Sequence, residues 1–147
     1  MPQPLVKVPV HIVFGTKERK NLIPQNRLQE LWSYMGGIAR NQKIGLIIAG
    51  GMRDHLHMVV EVPATRNLSD IIRTFTSNSS RWMRETNRDF GWQSGYGAFG
   101  VNPSQIGTVT EYIAAQPEHH KKRNFEEEFL LMLKKAGVEY DPRYVFE

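Results

Sequence analysis

Apolar positions along this chain recur with two periods, and their alternation sketches a sheet crossed by helices. Val10, Ile12 and Phe14 lie on one side of a strand from Val8 to Phe14, because strand side chains alternate faces. A loop from Gly15 to Gln25 follows. Leu28, Leu31, Trp32, Met35, Ile38 and Ala39 then recur at helical spacing, predicting an amphipathic helix from about Asn26 to Arg40. Gly36-Gly37 weakens its middle. A short apolar run from Ile44 to Ala49 and a strand from His55 to Val62 are read as a hairpin turning at Gly50-Gly51. In the second strand Leu56, Met58, Val60 and Val62 form the buried face. Leu68, Ile71, Ile72, Phe75, Ser79 and Trp82 mark a second helix, about Leu68 to Thr86, and Gly95 to Val101 reads as a glycine-rich aromatic strand.

Strand, helix, strand, strand, helix, strand is the order of the ferredoxin-like βαββαβ unit. The expected fold class is therefore α+β, with helices on one face of the sheet and C-terminal helices added. One added piece runs from about Ser104 to Gln116, with Pro117 expected to kink or end it. The other takes Asn124 as N-cap, Glu126 to Glu128 in its first turn, Lys134 and Lys135 in its last, and Gly137 just beyond. Phe125, Phe129, Leu133 and Ala136 give this last helix an apolar stripe, and it reads as structural.

Length and composition narrow the classes. The 147 residues suit one domain spanning 1–147, and 40% hydrophobic with 23% charged residues is ordinary for a soluble globular chain. No apolar run approaches the roughly 18 residues that a membrane span needs, and the start, with Pro2, Pro4 and Pro9, lacks signal-peptide architecture. Without any cysteine, disulfides and thiolate zinc sites are excluded. A cytoplasmic location is the expectation. The net charge of +4 suits a polyanionic partner.

The candidate chemistry lies in His55-Leu56-His57 and in Tyr112 with Gln116. Two imidazoles two apart on a strand share a face and can hold one metal ion. Asp54 starts on the opposite face but is a candidate acceptor for orienting a ring nitrogen. Zinc is compatible with imidazole, although a structural zinc site wants four protein ligands. Tyr112 and Gln116, four apart, share a helix face. The amide oxygen is a hard ligand suited to Mg2+ or Mn2+. A phenol with a reference pKa of about 10 needs a cation or a basic group to become a nucleophile.

Several segments together resemble the single-tyrosine HUH transposases of small bacterial insertion sequences, including relatives associated with repetitive extragenic palindromes. They are His11-Ile12-Val13-Phe14-Gly15-Thr16-Lys17, Asp54-His55-Leu56-His57, Ser79-Ser80-Arg81-Trp82, Gly95-Tyr96-Gly97-Ala98-Phe99, Tyr112-Ile113-Ala114-Ala115-Gln116 and Glu118-His119-His120-Lys121-Lys122. The resemblance implies that His55 and His57 bind the metal, that Gln116 is its third ligand, and that Tyr112 is the nucleophile. It implies cleavage and rejoining of single-stranded DNA through a 5′-phosphotyrosine link, with Mg2+ or Mn2+ and no nucleotide cofactor. Hairpin-ended single-stranded DNA would be the substrate, a homodimer the working unit, and the bacterial nucleoid the place of action. Pro117 departs from the pattern. Lys17, Arg19, Lys20, Arg81, Arg84, Lys121, Lys122 and Arg123 are the candidate contacts to DNA phosphates. Two alternatives stay open: an HUH nickase of replication or plasmid transfer, and a ferredoxin-like nucleic-acid-binding regulatory module without catalysis.

Overall fold

A computed structural model describes residues 3–147; the first two residues of the proline-rich start lie outside it. Four strands, β1 (Pro9–Gly15), β2 (Gly45–Met52), β3 (His55–Glu61) and β4 (Gly97–Gly100), form one antiparallel sheet in the order β2-β3-β1-β4. Helix α1 (Leu28–Gln42) connects β1 to β2, and α2 (Leu68–Arg84) connects β3 to β4. This is the expected ferredoxin-like arrangement. Short 3-10 turns at Lys17–Arg19, Gln25–Arg27 and Pro103–Gln105 punctuate the connections.

Side-chain alternation gives the sheet two cores. Val10, Ile12, Phe14, Leu56, Met58 and Val60 face α1 and α2 and meet Leu31, Met35, Ile71 and Phe75. The opposite face carries Val13 and, across the β1–β3 register, His57. Val13 is buried there with Phe125, Phe129 and Leu133. These last three belong to α5 (Phe125–Ala136), which Asn124 caps at its start and Gly137 ends in a left-handed conformation, as the sequence predicts. Helices α3 (Ile106–Ala114) and α4 (Gln116–His119) cover β2 on this side. Among the described residues no helix is long and apolar enough to cross a membrane.

Two local expectations are corrected. The β2–β3 hairpin does not turn at Gly50-Gly51; β2 runs on to Met52, and Arg53-Asp54 form the turn. Both glycines serve close approach instead. A Cβ on Gly50 would stand 2.8 Å from Ile113 Cγ2 and 3.2 Å from the Ile113 carbonyl oxygen, so its absence lets α3 lie on the strand. Gly51 has φ +150°, and a Cβ there would stand 2.3 Å from the His55 carbonyl oxygen.

The second correction concerns the helix holding Tyr112. It stops at Ala114, Ala115 departs from helical geometry (φ −95°, ψ 17°), and Gln116 opens α4 rather than closing α3. Pro117 explains the break. Its ring would collide with the Ile113 carbonyl in a continuous helix, and it has no N–H to bond that oxygen.

Gly51→Ala is expected to destabilise the protein by about 2 kcal/mol or more, through backbone strain and the collision with His55. That corresponds to a melting temperature lower by ~4–8 °C. Gly100→Ala, at an open position with nothing within 4 Å of the added Cβ, should leave it near wild type. Equal melting temperatures for the two variants would refute this account of the hairpin.

Candidate active site

Strand β3 holds the histidine pair on the second face of the sheet, where α3, α4 and α5 cover it. Both rings are fully buried, not partly exposed strand residues. The Nδ1–H of His55 donates to Asp54 Oδ1 at 2.7 Å, so the turn residue does orient this ring. In the neutral ring Nε2 is then a lone pair, and it stands 2.8 Å from Gln116 Oε1. The Gln116 amide is held in this orientation by two bonds. Its Nε2 donates to Glu128 Oε2 at 3.0 Å, and His120 Nε2 approaches its oxygen at 2.9 Å. Two acceptors facing each other in a dry site are relieved by a proton or by a cation between them.

Glu128 is the residue that the sequence reading missed. Phe125, Glu128 and Phe129 share one face of α5 at i, i+3 and i+4 spacing, and all three are buried. The Phe125 ring stacks on His55, with centroids 4.4 Å apart. Glu128 Oε1 lies 3.0 Å from His57 Nε2, 3.6 Å from His55 Nε2 and 3.3 Å from His120 Nε2. Its other oxygen accepts from the Tyr112 hydroxyl as well as from Gln116. The only available signal was a carboxylate next to an apolar stripe, and its place in the first turn invited a reading as helix-dipole chemistry.

His55, His57 and Glu128 offer donor atoms that all lie within 4.8 Å of one another. With Gln116 Oε1 they form two imidazoles, one carboxylate and one amide oxygen. Neighbouring ligands of an octahedral ion at about 2.1 Å lie ~3 Å apart, which the 2.8 and 3.0 Å separations match. The donors therefore fit a divalent cation, with mixed nitrogen and oxygen chemistry.

Electrostatics lower the pKa of two of the imidazoles and hold one carboxylate charged. Burial and the neighbouring His57 lower His11 from 6.5 to about 3, and burial also lowers His57 against the pull of Glu128. His11 Nε2 lies 2.8 Å from His57 Nδ1, a second orienting contact from β1. Burial alone would raise Glu128; hydrogen bonds from His120, His57 and Tyr112 outweigh it and hold the carboxyl well below its usual range. Burial, then Glu128, push the Tyr112 phenol up. As the site stands, Tyr112 is a protonated donor.

The candidate DNA contacts fall in three places. Lys122 and Arg123 line a cavity of about 180 Å³ with Tyr112, His119, His120 and Glu128, while Lys121 is exposed and pairs with Glu118. Lys17, Arg19 and Lys20 follow β1. Arg19 pairs with Glu126 at 2.6 Å and Lys20 with Glu18 at 2.8 Å. A larger cavity of about 650 Å³ lies beside this loop, lined by Trp92, Gln93 and the C-terminal residues, and contains none of the histidines or Tyr112. Arg81 and Arg84 are exposed on α2, across the sheet from Tyr112. Nearby, Trp92 is packed edge-on against Phe14 and Phe90, whereas Tyr96 is exposed.

The profile described as "Transposase IS200 like" matches residues 5–116, most of the chain. The chain belongs to the IS200-like transposase family. The matched region takes in β1 to β4, the histidine pair, Tyr112 and Gln116, whereas Lys122, Arg123 and Glu128 lie past its end. Among solved structures, a candidate transposase from Deinococcus radiodurans R1 is similar at 18% identity, over 79% of this chain and 98% of that one, with a TM-score of 0.63. A REP-associated tyrosine transposase bound to a REP hairpin is similar at 15% identity, over 82% of this chain and 73% of that one, with a TM-score of 0.61. Both establish the shared fold. No curated protein matches the chain.

The buried histidines predict an acid limb well above the carboxylate range. Between pH 6.5 and about 3 the unfolded chain takes up the proton that folded His11 refuses, so stability falls as pH falls. At about 1.4 kcal/mol per unit, the loss from pH 6.5 to 5 is about 2 kcal/mol for His11, and His57 adds in the same direction. Glu128 acts only at lower pH, since its stabilisation is present above its unfolded pKa. Urea midpoints with chelator present should drop over this window and drop less in His11→Gln; a flat profile would count against neutral buried histidines.

Proposed function

We propose that this IS200-like transposase cleaves and rejoins single-stranded DNA through covalent attack by Tyr112. The observation that supports the reading best is the convergence of the Tyr112 hydroxyl and the His55–His57–Gln116 donors on one buried carboxylate, Glu128, within a single chain. The phenolic oxygen attacks the scissile phosphorus and the P–O3′ bond breaks. A 5′-phosphotyrosine link and a free 3′ hydroxyl result, the leaving oxygen taking up a proton. Glu128 is the nearest acceptor for the proton that Tyr112 gives up. In the return step a 3′ hydroxyl attacks the phosphotyrosine and restores Tyr112, so strands rejoin without a nucleotide cofactor.

His55, His57, Glu128 and Gln116 would hold a divalent ion. It would neutralise charge on the phosphate oxygens and lower the pKa of the adjacent phenol. Asp54 and His11 keep the two imidazoles oriented, and Phe125 stacked on His55 keeps water from that ring. Lys122 and Arg123 are placed to meet phosphates beside Tyr112. Lys17, Arg19, Lys20, Arg81, Arg84 and Lys121 would serve as more distant contacts along hairpin-ended DNA. A homodimer is the proposed working unit, with each tyrosine beside its own chain's histidines.

Incubation with single-stranded hairpin DNA and Mn2+ should give a protein–DNA adduct on a denaturing gel, blocked by chelator. Tyr112→Phe should abolish the adduct while DNA affinity stays within about twofold, since one hydroxyl contributes little to phosphate contacts. An adduct formed by the Phe variant would remove Tyr112 from the role of nucleophile.

Binding of the ion is read separately, by calorimetry with Mn2+ alone. One ion per chain is expected, with affinity lowered by about tenfold or more in Glu128→Gln and lost in His57→Ala. Wild-type affinity in Glu128→Gln would leave the carboxylate outside the ligand set.

A further inference from the structure

Tyr112, Arg123 and Glu128 line two cavities at once. One is the smaller cavity, bordered by the polar residues His119, His120 and Lys122. The other, about 310 Å³, lies between α3 and α5 and is built differently: Val109 from α3 and Leu131 and Met132 from α5 supply apolar walls, with His11 and Thr108 beside them. Arg123 and Lys135 also line it, and both are exposed. Neither is taken up in an ion pair among the described residues. The tyrosine thus stands where a cationic, hydrogen-bonding space meets an aliphatic one.

We propose that the cavity between α3 and α5 receives a single nucleobase of the strand whose phosphate lies against Tyr112. This deepens the strand-transfer reading and rests on it for the position of the phosphate. A nucleotide joins an anionic phosphate to a flat, largely apolar ring, and the two cavities offer that pairing in the same order around Tyr112. Single-stranded nucleic acid is held by cations that track its backbone and surfaces that pack on its bases. Met132 suits such a ring, because a thioether is polarizable and conforms to aromatic faces. At about 310 Å³ the space is at the small end of ligand-sized cavities, roughly 300–1,000 Å³. That matches one base better than a stacked pair. An apolar segment of a second copy would use the same walls but leave Arg123 and Lys135 without counter-charges, so a phosphodiester strand is the better occupant.

The test uses Tyr112→Phe protein, so that binding is read without chemistry. The probe is a hairpin oligonucleotide with single-stranded tails of mixed sequence, carrying 2-aminopurine at each tail position in turn. At one position only, fluorescence should rise on binding by at least about twofold, as expected when a base leaves its stacked neighbours. Met132→Trp, which fills the cavity from α5, should erase that rise and weaken binding by about tenfold. Val109→Trp fills it from α3 and guards against misfolding of the first variant; each must keep wild-type Mn2+ binding to count. The proposal is overturned if no position stands out, or if the same position responds equally in both filled variants. Failure of wild-type protein to form the covalent adduct would instead sink the strand-transfer reading, and leaves the fluorescence result standing.

Discussion

One buried carboxylate ties this molecule together. Glu128 enters from α5 and meets groups from three other elements: His57 from β3, Tyr112 from α3 and Gln116 from α4. Removing a carboxylate from water costs several kcal/mol, which attraction and hydrogen bonds must offset. Here the offset comes from a full complement of donors, and it is why the carboxyl stays ionised in a dry place. Two of those donors come from separate helices and one from the sheet, so the charge is satisfied only when α3, α4 and α5 are all seated. A group that is costly to bury therefore fixes how the C-terminal helices sit on the sheet.

The sheet itself divides the labour. Its face toward α1 and α2 is an uninterrupted apolar core, and Arg81 and Arg84 on the outside of α2 are separated from the histidines by the full thickness of the sheet. The other face mixes Val13, Phe125 and Phe129 with His11, His55 and His57. Alternation along β1 and β3 makes this possible, since each strand sends every second residue to the polar site without disturbing the core behind it. Phe125 links the two functions, packing on Phe129 in the apolar cluster and stacking on His55 in the site.

Much of this was legible in the chain because it follows from short periods. The alternation of His55 and His57 against Leu56 and Met58 set the face of the pair, and apolar spacing set both long helices to within a few residues. Asn124 and Gly137 marked the ends of α5 by local chemistry alone. What stayed hidden depends on tertiary contact. Gly50-Gly51 resembles a turn, yet its glycines are required by Ile113 above the strand and by the backbone of His55. Gln116 shares a helical stripe with Tyr112 only in a continuous helix; after the break at Ala115 it arrives in the site from a separate turn. Glu128 is one of three consecutive glutamates, and no pattern distinguishes the buried one from Glu126 and Glu127, which face water.

The same carboxylate sets the state of the phenol. Burial and the contact with Glu128 keep the Tyr112 proton in place, so the phenol stands as a hydrogen-bond donor. A cation among the histidines would compete for the same oxygens and spread their charge, weakening the hold on that proton. If Tyr112 is the nucleophile proposed above, its activation and occupation of the imidazoles would then be one event, because both would act through Glu128. On the proposed chemistry, an ion-free site would have little tendency to attack a phosphodiester, and strand breakage would be confined to the metal-loaded state.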